Sequence, residues 1–419
     1  MLKRFKVRLI AVIFLLFGVI TFRTFDVNAF AEQEKRNYVE VVARGKSYTY
    51  YDEVVESTNH LVEEQIFRRK INASVQKKME EVRLHTLKGI GVDKALIYSY
   101  PKLKEFVDNV KKSSFVAPTD ARVEFNPNKS PVFTLYRDKA GESVDEQALY
   151  QAIYRLWQTG LGGKIQLKMH EIEPSFTLED AKKQTFLRGK FTTDYSTSAE
   201  NRKHNVALAL SKINGYVLNK GDSFSFNSVV GRRNEKNGYK QAKIISKGDY
   251  VDGFGGGVCQ VSTTLYNAVI LSDLRVDEVN GHSLAPSYVS PSFDAMVNSG
   301  SSNLVFTNTT DSPVYIKAVC DGSKITVEIY GEKNPYEIVR ESVIVKRGAV
   351  PSDKIIVDEE GKFVSEQMQS GEQMRVRGAL AGMTSEGYLY YYEQGRLVEK
   401  RAVRKDNYQP LQGIIAKKP

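Results

Sequence analysis

The chain has 419 residues, 41% hydrophobic and 26% charged, with two cysteines, five histidines and a net charge of +10. That length allows two to four domains with real hydrophobic cores, and so few cysteines exclude a disulfide-stapled scaffold. No CxxC, HExxH or His/Cys cluster is present, so neither a metal nor another cofactor is expected.

Residues 1–31 open with Lys3, Arg4, Lys6 and Arg8, followed by an apolar run from Leu9 to Phe22 that Arg23 closes. Small-residue sites at Val27-Asn28-Ala29 and Ala29-Phe30-Ala31 complete the pattern of a signal peptide. The run is shorter than the roughly 20 apolar residues a spanning helix prefers, so it is either cleaved or kept as a short amino-terminal membrane anchor. Both readings export the rest of the chain, secreted to the wall or held at the membrane. The basic excess then favours anionic wall polymer or lipid over nucleic acid.

After a β-like start from Tyr38 to Tyr51, residues 37–116 read as mostly helical. In Asp52–Leu87, Val54, Val55, Leu61, Val62, Ile66 and Val75 recur at spacings near three and four among charged residues. A second amphipathic piece covers Lys102–Val110. Residues 118–179 alternate as strands at Ala121–Phe125 and Lys164–Met169, with helical spacing between them at Asp145–Gln158, which makes a small α+β module. In 185–331, Asn201–Gly215 reads as a helix with the apolar stripe Val206, Ala209, Leu210 and Ile213. Cys259–Leu274 is apolar on most sides and is expected to be buried. Residues 335–419 read as β-rich, with Gly371, Gly378, Gly382, Gly387, Gly395 and Gly413 as turns and two strands around Gln394-Gly395. The expected fold class is therefore α+β multidomain: leader, helical region, small α+β module, mixed domain with a buried helix, β-rich end.

The chemistry concentrates in Gly255–Thr264, GGGVCQVSTT. A cysteine in the first turn of a helix feels the positive end of the macrodipole and the unpaired N–H groups there, which favour thiolate. Gly255, Gly256 and Gly257 let backbone approach a ligand closely, and Gln260 is a candidate donor to an oxyanion. His282 is the candidate base and Asp294 its orienting carboxylate, giving Cys-His-Asp by type and order. His204 is a second candidate; His60, His85 and His170 are discounted. Ser262 and Thr263 are candidate binding hydroxyls that are equally suited to first-turn amides. Arg232 and Arg233, with Lys236, Lys240 and Lys243 nearby, suit carboxylates or phosphates. Three readings of Cys259 stay open: nucleophile, disulfide partner of Cys320, or packed side chain.

Several motifs in order carry a resemblance. Phe191-Thr192-Thr193-Asp194-Tyr195, Asn201-Arg202, Gly221–Asn227, Val230–Arg233, Gly238-Tyr239, the GGGVCQVSTTLYNA stretch, His282-Ser283 and Asp294-Ala295 resemble the VanW family over roughly Phe186 to Gly331. Pro118–Ala121, the Gly141–Asp145 turn and Glu173-Pro174 resemble the peptidoglycan-binding domain that commonly precedes it. Gly395–Glu399 and Pro410–Gly413 resemble the five-glycine wall-associated domain that often follows. The resemblance implies an exported bacterial envelope protein facing peptidoglycan, with a possible link to glycopeptide resistance or wall remodelling, and it delivers no reaction. Recognition of peptidoglycan or another wall polymer is the expected function. The alternatives are a cysteine-dependent amide hydrolase or transpeptidase on stem peptides, and a structural adaptor.

Overall fold

The structure, a computed structural model, describes residues 38–51, 76–159, 162–246, 249–365 and 367–419. The leader, most of the Asp52–Leu87 stretch and His60 lie outside the described residues. Among the described residues no helix is long and apolar enough to cross a membrane. The fold is α+β and divides into two compact units, one built from residues up to 119 with 139–174, the other from 120–138 with 175–419.

In the first unit, Tyr38–Ala43 lies between Lys46–Tyr51, antiparallel, and Gly162–Gln166, parallel. Its alternation is complete: Val39, Val41 and Ala43 are fully buried while the residues between them are not, as a half-buried strand requires. The helices Val92–Ser99, Lys102–Ser114 and Glu146–Thr159 supply Leu96, Leu103, Val107, Leu149, Ile153 and Trp157 to the same core. The Trp157 indole N–H donates to the Tyr38 carbonyl at 3.2 Å, which satisfies the one polar atom of that ring.

The second unit is organised on a four-stranded antiparallel sheet ordered Phe186–Asp194, Lys324–Gly331, Val314–Cys320, Val217–Leu218. Two helices cover it. Glu200–Ile213 presents Val206, Ala209, Leu210 and Ile213, the expected stripe, together with Asn205. Val258–Leu271 is buried along nearly its whole length, and its backbone runs close to the strand at Gly189. A Cβ there would stand 2.8 Å from the Ala268 carbonyl oxygen and 2.4 Å from Ser272 Oγ, so the strand–helix approach depends on that glycine.

The C-terminal strands Glu337–Arg347, Met383–Glu393 and Arg396–Tyr408 form an antiparallel sheet. Gln394 and Gly395 turn the long hairpin with φ of 50° and 80°, the left-handed pair a two-residue hairpin turn demands. Leu389 and Tyr391 of this sheet belong to the same core as the buried helix. Gly387, expected at a turn, instead lies inside a strand. A Cβ there would meet the Ser292 carbonyl oxygen at 3.1 Å, so the glycine serves a close approach rather than a bend.

Gly189→Ala should therefore destabilise the protein by about 1–3 kcal/mol through overpacking, read as a lowered thermal midpoint. An unchanged melt would mean that strand and helix are not pressed together there.

Candidate active site

The loop into the buried helix passes between two arginine stems. Gly255 has φ of 81° and Gly257 of 104°, both strained for any residue with a Cβ. A Cβ on Gly255 would stand 2.6 Å from Arg233 Cβ, and one on Gly257 3.0 Å from Arg202 Cγ. Gly257 is the N-cap and offers no side chain to the first turn. Arg202 is held in place by Ser198 Oγ at 2.6 Å and Gln260 Oε1 at 2.7 Å. Arg233 Nη1 donates to Asn227 Oδ1 and to the Gly231 carbonyl, at 2.8 and 3.0 Å. Burial lowers the proton affinity of both guanidiniums, yet both stay charged because arginine starts so high.

The buried helix carries polar side chains, and apart from the Tyr266 hydroxyl, which is buried without a partner, each is hydrogen-bonded. Gln260 Nε2 donates to Thr193 Oγ1 and to the Asp194 carbonyl at 3.0 and 2.8 Å. Ser262 Oγ donates to the Ala295 carbonyl at 2.6 Å, and Thr263 Oγ1 accepts from the Ala295 N–H at 2.9 Å. Asn267 Nδ2 donates to the Phe293 carbonyl at 2.8 Å. Three polar residues of one helix thus fasten the segment 293–295, where Asp294 lies. That explains hydroxyls and amides in an otherwise apolar helix, since a buried polar group is tolerated when it is paired.

Cys259, at the second residue of the helix, is partly exposed. Its thiol donates to the Val297 carbonyl at 3.3 Å, and the His282 side chain is near enough to act on it electrostatically. His282 Nδ1 meets Asp294 Oδ2 at 2.6 Å, and the same oxygen accepts from the His282 backbone N–H at 2.7 Å. The ring is thereby fixed through one nitrogen and turned toward sulfur with the other. Burial pulls His282 down, but the Asp294 and Cys259 partners outweigh it and raise it to about 9. Burial likewise pushes the Cys259 thiol up, and the neighbouring His282 brings it below the usual thiol value. Both directions describe one thiolate–imidazolium pair.

Asp294 is fully buried. Its second oxygen, Oδ1, accepts from Arg404 Nη2 at 2.9 Å and from the Tyr408 hydroxyl at 2.6 Å. Burial opposes ionisation, but His282, Arg404 and Tyr408 together hold the carboxyl below its ordinary range. Arg340 reinforces the same segment. Its guanidinium lies 4.6 Å from the Phe293 ring centroid, 4.2 Å from that of Phe191, and donates to Asn267 Oδ1.

Cys259, His282 and Asp294 are thus brought together although 12 to 35 positions apart. The other expected residues divide. His204 is exposed on its helix and bonds the Gly238 carbonyl at 2.9 Å, away from this cluster. Gln260 cannot serve an oxyanion as expected, because both amide hydrogens are committed to Thr193 and Asp194. Ser262 and Thr263 face the Ala295 backbone rather than a ligand. Arg232 is exposed, Arg233 is packed against Gly255, and Lys243 pairs with Asp252 at 2.9 Å. Cys259 and Cys320 are both free thiols, so the disulfide reading is not realised. The structure adds Arg202, Tyr288, Arg404 and Tyr408 to the cluster. Arg202 belongs to the Asn201-Arg202 motif, and Tyr288 lies close to Thr263. Arg404, Asp406 and Tyr408 alternate on one strand face, the sole signal for the last two.

Fold and site together define an α+β protein with a cysteine–imidazole–carboxylate chain at the start of a buried helix. The chain belongs to the VanW family: the family described as VanW like protein matches residues 201–330. It is 32% identical to the uncharacterized protein YoaR of Bacillus subtilis (strain 168) over 228 residues, covering 54% of this chain and 75% of that one. It is 28% identical to the vancomycin B-type resistance protein VanW of Enterococcus faecalis (strain ATCC 700802 / V583) over 153 residues, covering 34% of this chain and 55% of that one. Among solved structures, HP0197-G5 covers 20% of this chain and 99% of its own, with 11% identity and a TM-score of 0.11. The IgA1 protease G5 domain covers 20% and 94%, with 13% identity and a TM-score of 0.12. At those TM-scores the two likenesses carry no argument.

The paired shifts set a pH test. Between the lowered thiol value and about 9 the pair is charged; acid protonates the sulfur, and alkali above about 9 discharges the ring. Alkylation of Cys259, followed by peptide mass spectrometry, should show a midpoint below the ordinary thiol value of about 8.5. His282→Ala should move it upward by about one pH unit or more. Identical midpoints in the two proteins would exclude the ion pair.

Proposed function

We propose that this protein is a cysteine-dependent acyl-transfer enzyme acting on amide bonds of peptidoglycan stem peptides. The observation that carries the reading is the grouping of Cys259, His282 and Asp294, with sulfur at a helix start beside a histidine that is hydrogen-bonded to the buried carboxylate. A thiolate there attacks the amide carbonyl, forming a C–S bond. His282, as imidazolium, gives its proton to the departing nitrogen as the C–N bond breaks. Water or an acceptor amine then resolves the thioester, with His282 taking the new nucleophile's proton, which returns the enzyme to its starting state. The Val258 and Gln260 N–H groups donate to the Gly255 and Gly257 carbonyls at 3.1 and 3.0 Å, which leaves the Cys259 N–H at the uncapped helix start as the candidate oxyanion donor.

The choice of substrate rests on location. The basic-then-apolar residues 1–31 favour export, and a relative carries vancomycin resistance in its name; both favour an envelope target. Recognition of wall polymer without catalysis, the expectation from sequence, gives no reason to bury an ionised carboxylate behind a histidine that stands beside a cysteine. Wall binding is retained here as the means of substrate capture.

The test is to incubate the full chain with stem-peptide muropeptides and follow both new amines and mass adducts on Cys259. We expect cleavage or exchange with a transient Cys259 thioester, abolished by Cys259→Ala and reduced by about 10²-fold or more by His282→Ala. Sacculus binding that persists in every variant, with neither product nor adduct from the intact protein, would leave a recognition module and discard the enzyme reading.

A further inference from the structure

The family match ends at residue 330, yet Asp294 takes two of its four hydrogen bonds from residues more than seventy positions beyond that point. Arg404 and Tyr408 lie on Arg396–Tyr408, the second arm of the C-terminal hairpin. Both side chains reach Oδ1, while His282 occupies Oδ2. The carboxylate is therefore gripped from two sides and cannot rotate about its Cβ–Cγ bond without losing partners.

The grip has its own supports. Arg404 Nε bonds Asp406 at 2.8 Å, so the guanidinium bridges two carboxylates and its plane is set. Tyr408 Oη also accepts from the Ser292 N–H at 2.8 Å. Ser292 is buried with φ of 65°, a left-handed conformation in a non-glycine residue, which costs on the order of 1–3 kcal/mol unless its surroundings enforce it. Ser385 Oγ, from the first arm of the same hairpin, holds the Ser292 hydroxyl at 2.7 Å. The Gln409 N–H donates to the Ser283 carbonyl at 2.7 Å, next to His282. Gly387 lets that arm approach, as described above. The hairpin thus grips both ends of the segment that carries the base and its carboxylate.

We infer that Arg404 and Tyr408 are positioning residues of the Cys259 centre, and that the C-terminal hairpin is an integral part of that centre. The inference rests on the acyl-transfer reading. The mechanism is electrostatic and geometric: with Oδ1 bound, Asp294 stays ionised and aimed, the imidazolium keeps its counter-charge, and the thiolate keeps its partner. The other charged or titratable groups bearing on the cluster are Arg202, Arg233 and Tyr288 around Cys259, and Tyr266 and Asp406 around Asp294.

The experiment uses the full chain and the alkylation midpoint of Cys259, with thermal melts run in parallel. Tyr408→Phe removes one hydroxyl from a ring that keeps its packing, Arg404→Met removes the charge, and Arg404→Lys restores charge without the fork. Expected are midpoints raised by about one pH unit in Tyr408→Phe and Arg404→Met, about tenfold less thiolate at a fixed pH below the midpoint, with partial recovery in Arg404→Lys. Should Arg404→Met fail to fold, Tyr408→Phe alone decides. A low midpoint in the unsubstituted protein that Tyr408→Phe leaves unmoved overturns the positioning role while sparing the activated cysteine. An ordinary midpoint in the unsubstituted protein overturns the acyl-transfer reading itself.

Discussion

A carboxylate taken wholly out of water must find donors or give up its charge. In a dry interior the idealised cost of isolating such an ion is of order 20 kcal/mol, and several kcal/mol remain after relaxation. Asp294 meets that demand with four donors: the His282 N–H, the His282 ring, Arg404 and Tyr408. They come from its own loop and from a strand more than a hundred residues later. Most of what is specific to the second unit follows from gathering them, including the course of the loop 282–297 and the seating of the C-terminal hairpin.

The helix Val258–Leu271 is the other half of the arrangement. Val261, Leu265, Ala268 and Val269 bury it in the main core, and its polar residues fasten the Asp294 segment by backbone hydrogen bonds. One element therefore presents the cysteine at its start and anchors the carboxylate's loop along its side. A scaffold of this kind holds the side chains it carries in one orientation, which shifts readily when the supporting groups move. The sheet behind the helix fixes its position through the contact at Gly189.

Charge is distributed to the same end. Arg202 and Arg233 flank the helix start, adding positive potential to that of the helix terminus beside the Cys259 sulfur. Arg404 and Arg340 stand on the far side, committed to Asp294 and to Asn267 with the Phe293 ring. The chain carries a net charge of +10, but these four arginines have local structural partners.

Sequence by itself determined the α+β class, the stripe of Glu200–Ile213, the buried helix after three glycines and the Gln394-Gly395 hairpin, and it singled out Cys259, His282 and Asp294 as candidates. Each rests on local rules: apolar period, turn stereochemistry, or the few residue types able to perform one chemistry. Glycine punctuation suggests a turn at Gly387, which the structure places inside a strand, because a glycine that admits another backbone looks the same in one dimension as a glycine that bends its own. Gln260, Ser262 and Thr263 were read toward a ligand for a similar reason. A polar side chain on a buried helix is equally suited to substrate or to neighbouring backbone, and only the fold shows which is in reach. Tertiary structure alone decided that His282 and not His204 meets the sulfur, and that Arg404 and Tyr408 complete Asp294. Those contacts join positions a hundred or more residues apart, whose proximity depends on how a hairpin packs against a loop and leaves no local pattern beyond alternation along a strand.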